Sequence, residues 1–134
     1  MHLSALPIVA VVDDDPIYQF TATKTIQLTK AASLILSFTS GELALAYLRE
    51  HQHQADQLPD FLFLDINMPV MDGWMFLDDF ERLADQLAKR IKIFMVSSSI
   101  DPKDISRAST HQRVVKYLTK PISMKQFDEL ISAA

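Results

Sequence analysis

The sequence predicts an α/β domain on a parallel five-stranded sheet, and three features predict it. Four short runs are dense in aliphatic and aromatic residues with little polar alternation: PIVAVV (7–12), SLILSF (33–38), FLFL (61–64) and IKIFMV (91–96). A weaker fifth, VVKYL, covers 114–118. Continuous apolar strands are what a parallel sheet covered on both faces requires. Between the runs lie segments of helical period, and before them stand helix start signals. This alternation gives five strand–helix units, with right-handed crossovers that place helices on both faces.

The elements follow in chain order. After the first run come three consecutive acids, Asp13, Asp14 and Asp15, then Pro16. A proline directly after an acid is an N1 residue after an N-cap, so Asp15 opens the first helix. Thr39 or Ser40, ahead of Glu42, opens the second. The clearest helix is expected over 72–89, where Phe76, Leu77, Phe80, Leu83, Ala84 and Leu87 form one apolar stripe with the acids and Lys89 outside it. Asp101 and Pro102 open the fourth helix, and the chain ends at ISAA, still inside the fifth. The only polar loop of any length is HQHQADQLPD, residues 51–60. No linker, repeat or low-complexity tract appears, and 134 residues suit one domain, so residues 1–134 are read as a single domain.

Composition narrows the function. A net charge of −4 provides no basic footprint, which argues against direct nucleic-acid binding. The absence of cysteine excludes disulfides and thiolate metal sites. The first residues lack a basic n-region and meet acids too early for a signal peptide. No apolar run approaches the ~18 residues of a membrane span, so membrane insertion is not expected and a cytoplasmic location is. With only Gly41 and Gly73 in the chain, there is no glycine-rich phosphate cradle and no P-loop enzyme.

The chemistry lies where the strands end. In open parallel sheets, ligands bind outside the carboxyl ends of the strands, where strand order reverses. The first strand delivers Asp13 and Asp14 there, the third Asp65, the fourth Ser97 and the fifth Lys120. Converging carboxylates repel one another unless a cation neutralises them. Oxygen-only ligands without His or Cys select a hard divalent ion, and so few protein carboxylates suit Mg²⁺, which keeps waters and often shares a phosphate. The three acids thus read as a metal cup. A lysine and a hydroxyl beside it suit a phosphoryl group, with one carboxylate as nucleophile. Asp65, alone on a central strand end, is the candidate.

VVDDDP, LDINMPVMDG, MVSSS and YLTKP, in this order, resemble the response-regulator receiver domain of two-component signalling, with its flavodoxin-like (βα)5 fold and strand order 2-1-3-4-5. The likeness covers about residues 7–132. It implies that Asp65 is the phosphoacceptor, that Asp14 is a direct Mg²⁺ ligand with Asp13 acting through water, and that the backbone carbonyl of Asn67 completes the protein's ligands. It makes Ser97 the switch hydroxyl, Tyr117 the aromatic rotamer switch and Lys120 the phosphate-contacting cation, with a cis bond before Pro121. The implied partners are a histidine kinase or phosphotransfer protein and an unknown downstream protein. The surface of the fourth helix, fifth strand and fifth helix would change its affinity for partners and could support a homodimer. Such a module is a signalling receiver and not an enzyme; it catalyses only its own phosphorylation and dephosphorylation. With Met1 at the start and no effector following, a free-standing receiver is expected. Ser97 keeps the hydroxyl of the threonine frequent at this position, and Asn67 and Ser99 stand where the family tunes attack of water on the acyl phosphate.

Blander readings compete. His51 and His53 form an H-x-H pair, but no third ligand is evident and a solvated loop is expected. Trp74, Met75 and Phe76 read as packing, and Tyr117 could be rim packing. Two alternative functions are a phosphorylation-independent adaptor of receiver shape and a haloacid-dehalogenase-type phosphohydrolase. The adaptor should have lost an acid or the lysine, and the hydrolase needs an aspartate where Asn67 stands.

Overall fold

Five parallel strands lie side by side in the order β2-β1-β3-β4-β5, built from β1 (Ile8–Val12), β2 (Leu34–Phe38), β3 (Phe61–Asp65), β4 (Lys92–Ser97) and β5 (Val114–Thr119). The computed structural model describes residues 6–132. The expected continuation of the last helix into Ala133 and Ala134, and the reading of residues 1–5 as free of a leader, lie outside the described residues. The strands alternate with α1 (Pro16–Thr29), α2 (Gly41–Glu50), α3 (Gly73–Leu83), α4 (Pro102–Thr110) and α5 (Met124–Ser132).

Both faces of the central strands are covered, which is why their sequence shows no polar alternation. The two-residue period of a strand still sorts their side chains. Ala10, Val12, Leu62 and Leu64 pack under α2 and α3 with Leu45, Leu48, Phe76, Leu77 and Phe80. Val9, Val11, Phe61 and Phe63 pack on the opposite face with Ala22 and Ile26 of α1 and Phe127 and Ile131 of α5. Phe63 stacks on Phe94 at 5.0 Å and meets Phe127 edge-on at 5.1 Å.

Coverage on both faces holds only for the inner strands. β2 and β5 are edges, and Leu34 and Val115 are 46% and 57% exposed. Their apolar runs reflect strand propensity more than burial.

Caps set the helix starts. Asp15 accepts from the N–H groups of Ile17 and Tyr18, Ser40 rather than Thr39 accepts from Leu43, and Asp101 accepts from Lys103. The helix expected over 72–89 ends early: α3 stops at Leu83, a 3₁₀ turn covers Ala84–Gln86, and Leu87 is extended. Tertiary contacts take over from the helical period there. Ala88 N–H donates to Gln52 O at 2.7 Å, and Lys89 Nζ reaches Leu58 O at 2.9 Å and Asp60 at 3.1 Å, so Lys89 is half-buried and not outside.

Trp74 and Phe76 are buried, but Met75, read as packing, is 49% exposed. The Trp74 indole N–H donates to Asp104 at 3.2 Å, and the Arg107 guanidinium lies over its ring at 4.3 Å, so this side chain joins α3 to α4. In the 51–60 loop, His51 bonds Gln54 and pairs with Glu50, while exposed His53 contacts Gln52. His51 thus uses both ring nitrogens on local partners, and His53 uses Nε2. No helix among the described residues is long and apolar enough to cross a membrane.

Candidate functional site

The reversal of strand order falls between β1 and β3, and the polar strand ends gather there. Asp13 follows β1 directly, Asp65 closes β3, Ser97 closes β4 and Lys120 follows β5. These four strands are contiguous in the sheet, while β2, which delivers nothing, is the outer edge beside β1. Carboxylate oxygens of Asp13, Asp14 and Asp65 all lie within 4.8 Å of one another. Asp13 and Asp65 are buried, and Asp14 is exposed.

Several contacts hold the acids in place. Asp13 Oδ1 accepts the N–H of Asp15 at 2.9 Å, folding the acid loop back before α1 begins. Asp13 Oδ2 accepts from Lys120 Nζ at 2.6 Å, and the same ammonium lies 3.6 Å from Asp65 Oδ1. Burial, the largest cause, pushes the Asp65 carboxyl up to about 6, and the Asp13 charge and, more weakly, that of Asp14 add to this. Lys120 and a backbone hydrogen bond from Asn67 pull the other way. A carboxyl poised near neutrality by burial and like charge marks a functional site.

The three acids offer only oxygen donors, and a donor set of this kind fits a hard divalent ion. Asp13, Asp14 and Asp65 could hold it.

Ser97 is fully buried, and its hydroxyl accepts from Asn67 Nδ2 at 3.3 Å and from Ser99 N–H at 3.1 Å. Tyr117 is half-buried and donates its hydroxyl to Ser99 O at 2.7 Å. Asn67, Ser97, Ser99 and Tyr117 therefore form one chain of contacts from the Asp65 loop to β5. The Lys120–Pro121 bond is cis. Asp15, third of the acids, points away from this cluster as the α1 cap.

Two residues in the first turns of α1 escaped the sequence reading. The Tyr18 ring lies beneath Lys120 Nζ, 4.0 Å from centroid to nitrogen. Burial first, then the Asp13 and Asp65 charges, pushes its hydroxyl well above the ordinary tyrosine range. Gln19 is buried, and its amide N–H groups reach the carbonyls of Val11, Asp13 and Phe38 at 2.9–3.1 Å, while its oxygen accepts from Ser37 at 2.6 Å. It ties the ends of β1 and β2 to α1. The available signal was a glutamine within an otherwise apolar turn directly after the acids.

In the segments that follow β1, β3 and β4 at this sheet edge, three large aliphatic side chains face solvent: Ile17, Val70 and Ile100 are 77%, 84% and 71% exposed.

Comparison with known proteins agrees with this geometry. Residues 9–132 match the family model for the response regulator receiver domain. An uncharacterized response regulatory protein of Vibrio cholerae is 32% identical over 112 residues, which are 83% of this chain and 38% of that protein. The chain thus spans well under half the length of that relative. A two-component response regulator from Cytophaga hutchinsonii superposes with a TM-score of 0.87 at 31% identity, covering 97% of each chain. The phosphorylated cyanobacterial phytochrome response regulator RcpA superposes with a TM-score of 0.69 at 25% identity, covering 96% of this chain and 91% of that one. With the strand order, the acid cluster and the family match in agreement, this chain belongs to the response regulator receiver domain family.

Proposed function

We propose that this chain is the phosphoacceptor switch of a two-component relay, with Asp65 as the residue phosphorylated. The observation that carries this reading is the Lys120 ammonium, 2.6 Å from Asp13 and 3.6 Å from Asp65, inside a cluster of three carboxylates at the switch point of the sheet.

A carboxylate oxygen of Asp65 attacks the phosphorus of the donor. The donor's P–N bond, for a phosphohistidine, or P–O bond, for an acyl phosphate, breaks, and the leaving group takes the electron pair. Mg²⁺, when held by Asp13, Asp14, Asp65 and the backbone carbonyl of Asn67, supplies the positive charge that lets these acids approach a phosphoryl group. Lys120 stabilises charge on the equatorial oxygens, and Ser97 donates to one of them. To do so Ser97 must reorient from its present contacts with Asn67 and Ser99. That movement is passed to Tyr117 through Ser99 and changes the surface of α4, β5 and α5, which a downstream protein or a second copy reads.

The donor is a histidine kinase or phosphotransfer protein. Exposed Ile17, Val70 and Ile100, in the segments that follow β1, β3 and β4 at the sheet edge of the charged cup, support a protein donor, because exposed aliphatic surface gains by burial against a partner and does nothing for a small acyl phosphate. The domain acts as a signalling module in the cytoplasm.

Intact mass after incubation with acetyl phosphate tests the reading. One added phosphoryl group is expected in the presence of Mg²⁺, and none with a chelator or in Asp65→Asn. Persistent labelling of Asp65→Asn would remove Asp65 as acceptor. No adduct, together with no binding of beryllofluoride, would move the reading to a phosphorylation-independent adaptor.

A further inference from the structure

The geometry points to Tyr18 as a positioning residue for phosphoryl transfer, holding the Lys120 ammonium against the acids through the face of its ring. The inference rests on the proposed role of Lys120 at Asp65.

The ammonium is enclosed on three sides. Asp13 Oδ2 lies at 2.6 Å, Asp65 Oδ1 at 3.6 Å and the Tyr18 ring centroid at 4.0 Å. A lysine carries a compact charge on a flexible stem, and carboxylates attract it without fixing its direction. An aromatic face adds direction, because its negative quadrupole attracts the cation along the ring normal, more strongly where water is excluded. Here the Lys120 side chain is 17% exposed and Tyr18 is half-buried, so the contact is largely dry.

The ring is itself held. Tyr18 lies in the first turn of α1, where its N–H donates to the Asp15 cap, and it packs against the core layer beneath α1. Its neighbour Gln19 grips the carbonyls of Val11 and Asp13. The turn that carries the ring is thus tied to the strand end that carries the acids. An aromatic serving only as packing would turn its face to apolar neighbours; this one presents its face to the Lys120 ammonium that lies between Asp13 and Asp65. Pre-positioning that cation removes an ordering step from the transition state, where charge develops on the phosphoryl oxygens.

The test compares wild type, Tyr18→Leu and Tyr18→Phe. Initial rates of Mg²⁺-dependent labelling are measured across acetyl phosphate concentrations, and the Lys120 side-chain NMR signals are recorded without donor. Tyr18→Leu should lower the maximal rate roughly five- to tenfold with little change in the half-saturating donor concentration. Tyr18→Phe, which keeps the ring, should rescue most of that loss. The Lys120 side-chain protons should show an upfield ring-current shift in wild type and Tyr18→Phe that disappears in Tyr18→Leu. Equal rates in Leu and Phe variants, or equal damage in both, would overturn the inference, since the ring face would then make no difference. Absence of the ring-current shift in wild type would overturn it independently of any transfer. A wild type that shows the shift but accepts no phosphoryl group would remove the proposed function and with it a role for the contact in transfer.

Discussion

The Lys120 ammonium bonds Asp13, 107 positions away in sequence, at 2.6 Å, closer than its 3.6 Å approach to Asp65. It is the counter-ion of a buried acid first and a neighbour of the phosphoacceptor second. Breaking one side of a buried pair leaves an uncompensated charge, which costs about 3 kcal/mol. Lys120→Met should therefore lower stability by roughly that amount at neutral pH without divalent ions. Adding Asp13→Asn to the same chain should recover most of the loss, because the stranded charge is removed. Urea unfolding of the two single variants and the double variant checks this, and a Lys120→Met protein as stable as wild type would contradict it.

The pH dependence follows from Asp65, whose carboxyl is pushed up to about 6 in the folded protein from the 3.8 of an ordinary aspartate. Between these values the folded state holds a proton that the unfolded chain has released. This group's contribution to stability is thus full below the lower value and falls as pH rises through about 6. Mg²⁺ at the proposed site competes with that proton and stabilises only the folded state. Thermal melts should show a Mg²⁺-dependent rise in Tm at about pH 7.5 that is largely lost at about pH 5. Equal rises at both pH values would separate the ion from Asp65.

Gln19 is a structural clamp with a measurable cost. Its buried amide serves the carbonyls of Val11, Asp13 and Phe38 and accepts from Ser37. Replacing it by Leu takes one partner from each of these groups, although Phe38 O keeps the Asp13 N–H at 3.0 Å, and a buried polar group left without a partner costs about 1–3 kcal/mol. Gln19→Leu should destabilise by about 2 kcal/mol or more in denaturant unfolding. Its Mg²⁺ affinity should also fall, because the Asp13 carbonyl is one of the groups released.

Val70 sits at φ 69° at the centre of a tight turn closed by the Met71 N–H on Pro69 O at 2.8 Å, a conformation that a β-branched residue rarely adopts, and its side chain is 84% exposed. The conformation costs roughly 1–2 kcal/mol and no packing offsets it. Val70→Gly should raise stability by about 1 kcal/mol, since glycine adopts positive φ without a Cβ clash. A drop in stability would show that the exposed methyl groups make a contribution the fold does not reveal.

Much of the molecule was legible in the chain itself. Apolar runs separated by capped helices dictated the strand–helix alternation, because burial on both faces and the orphan N–H groups of a helix start are local demands. Asp15, Ser40 and Asp101 cap as their positions imply. The polar residues at the strand ends also marked the site, since parallel strands all finish at one edge.

Tertiary structure alone decided the rest. Whether an apolar strand is inner or edge depends on its partners, so half-exposed β2 and β5 look in sequence like their buried neighbours. α3 stops at Leu83 because contacts of Ala88 and Lys89 with the 52–60 segment outweigh a helical period that runs on to Leu87. The Lys120 ammonium bonds Asp13 and lies over Tyr18 because parallel pairing brings the end of β5 to the same sheet edge as the end of β1, from which α1 starts. Spacing along a chain carries residue type and local period; it carries no distance between residues that only folding brings together.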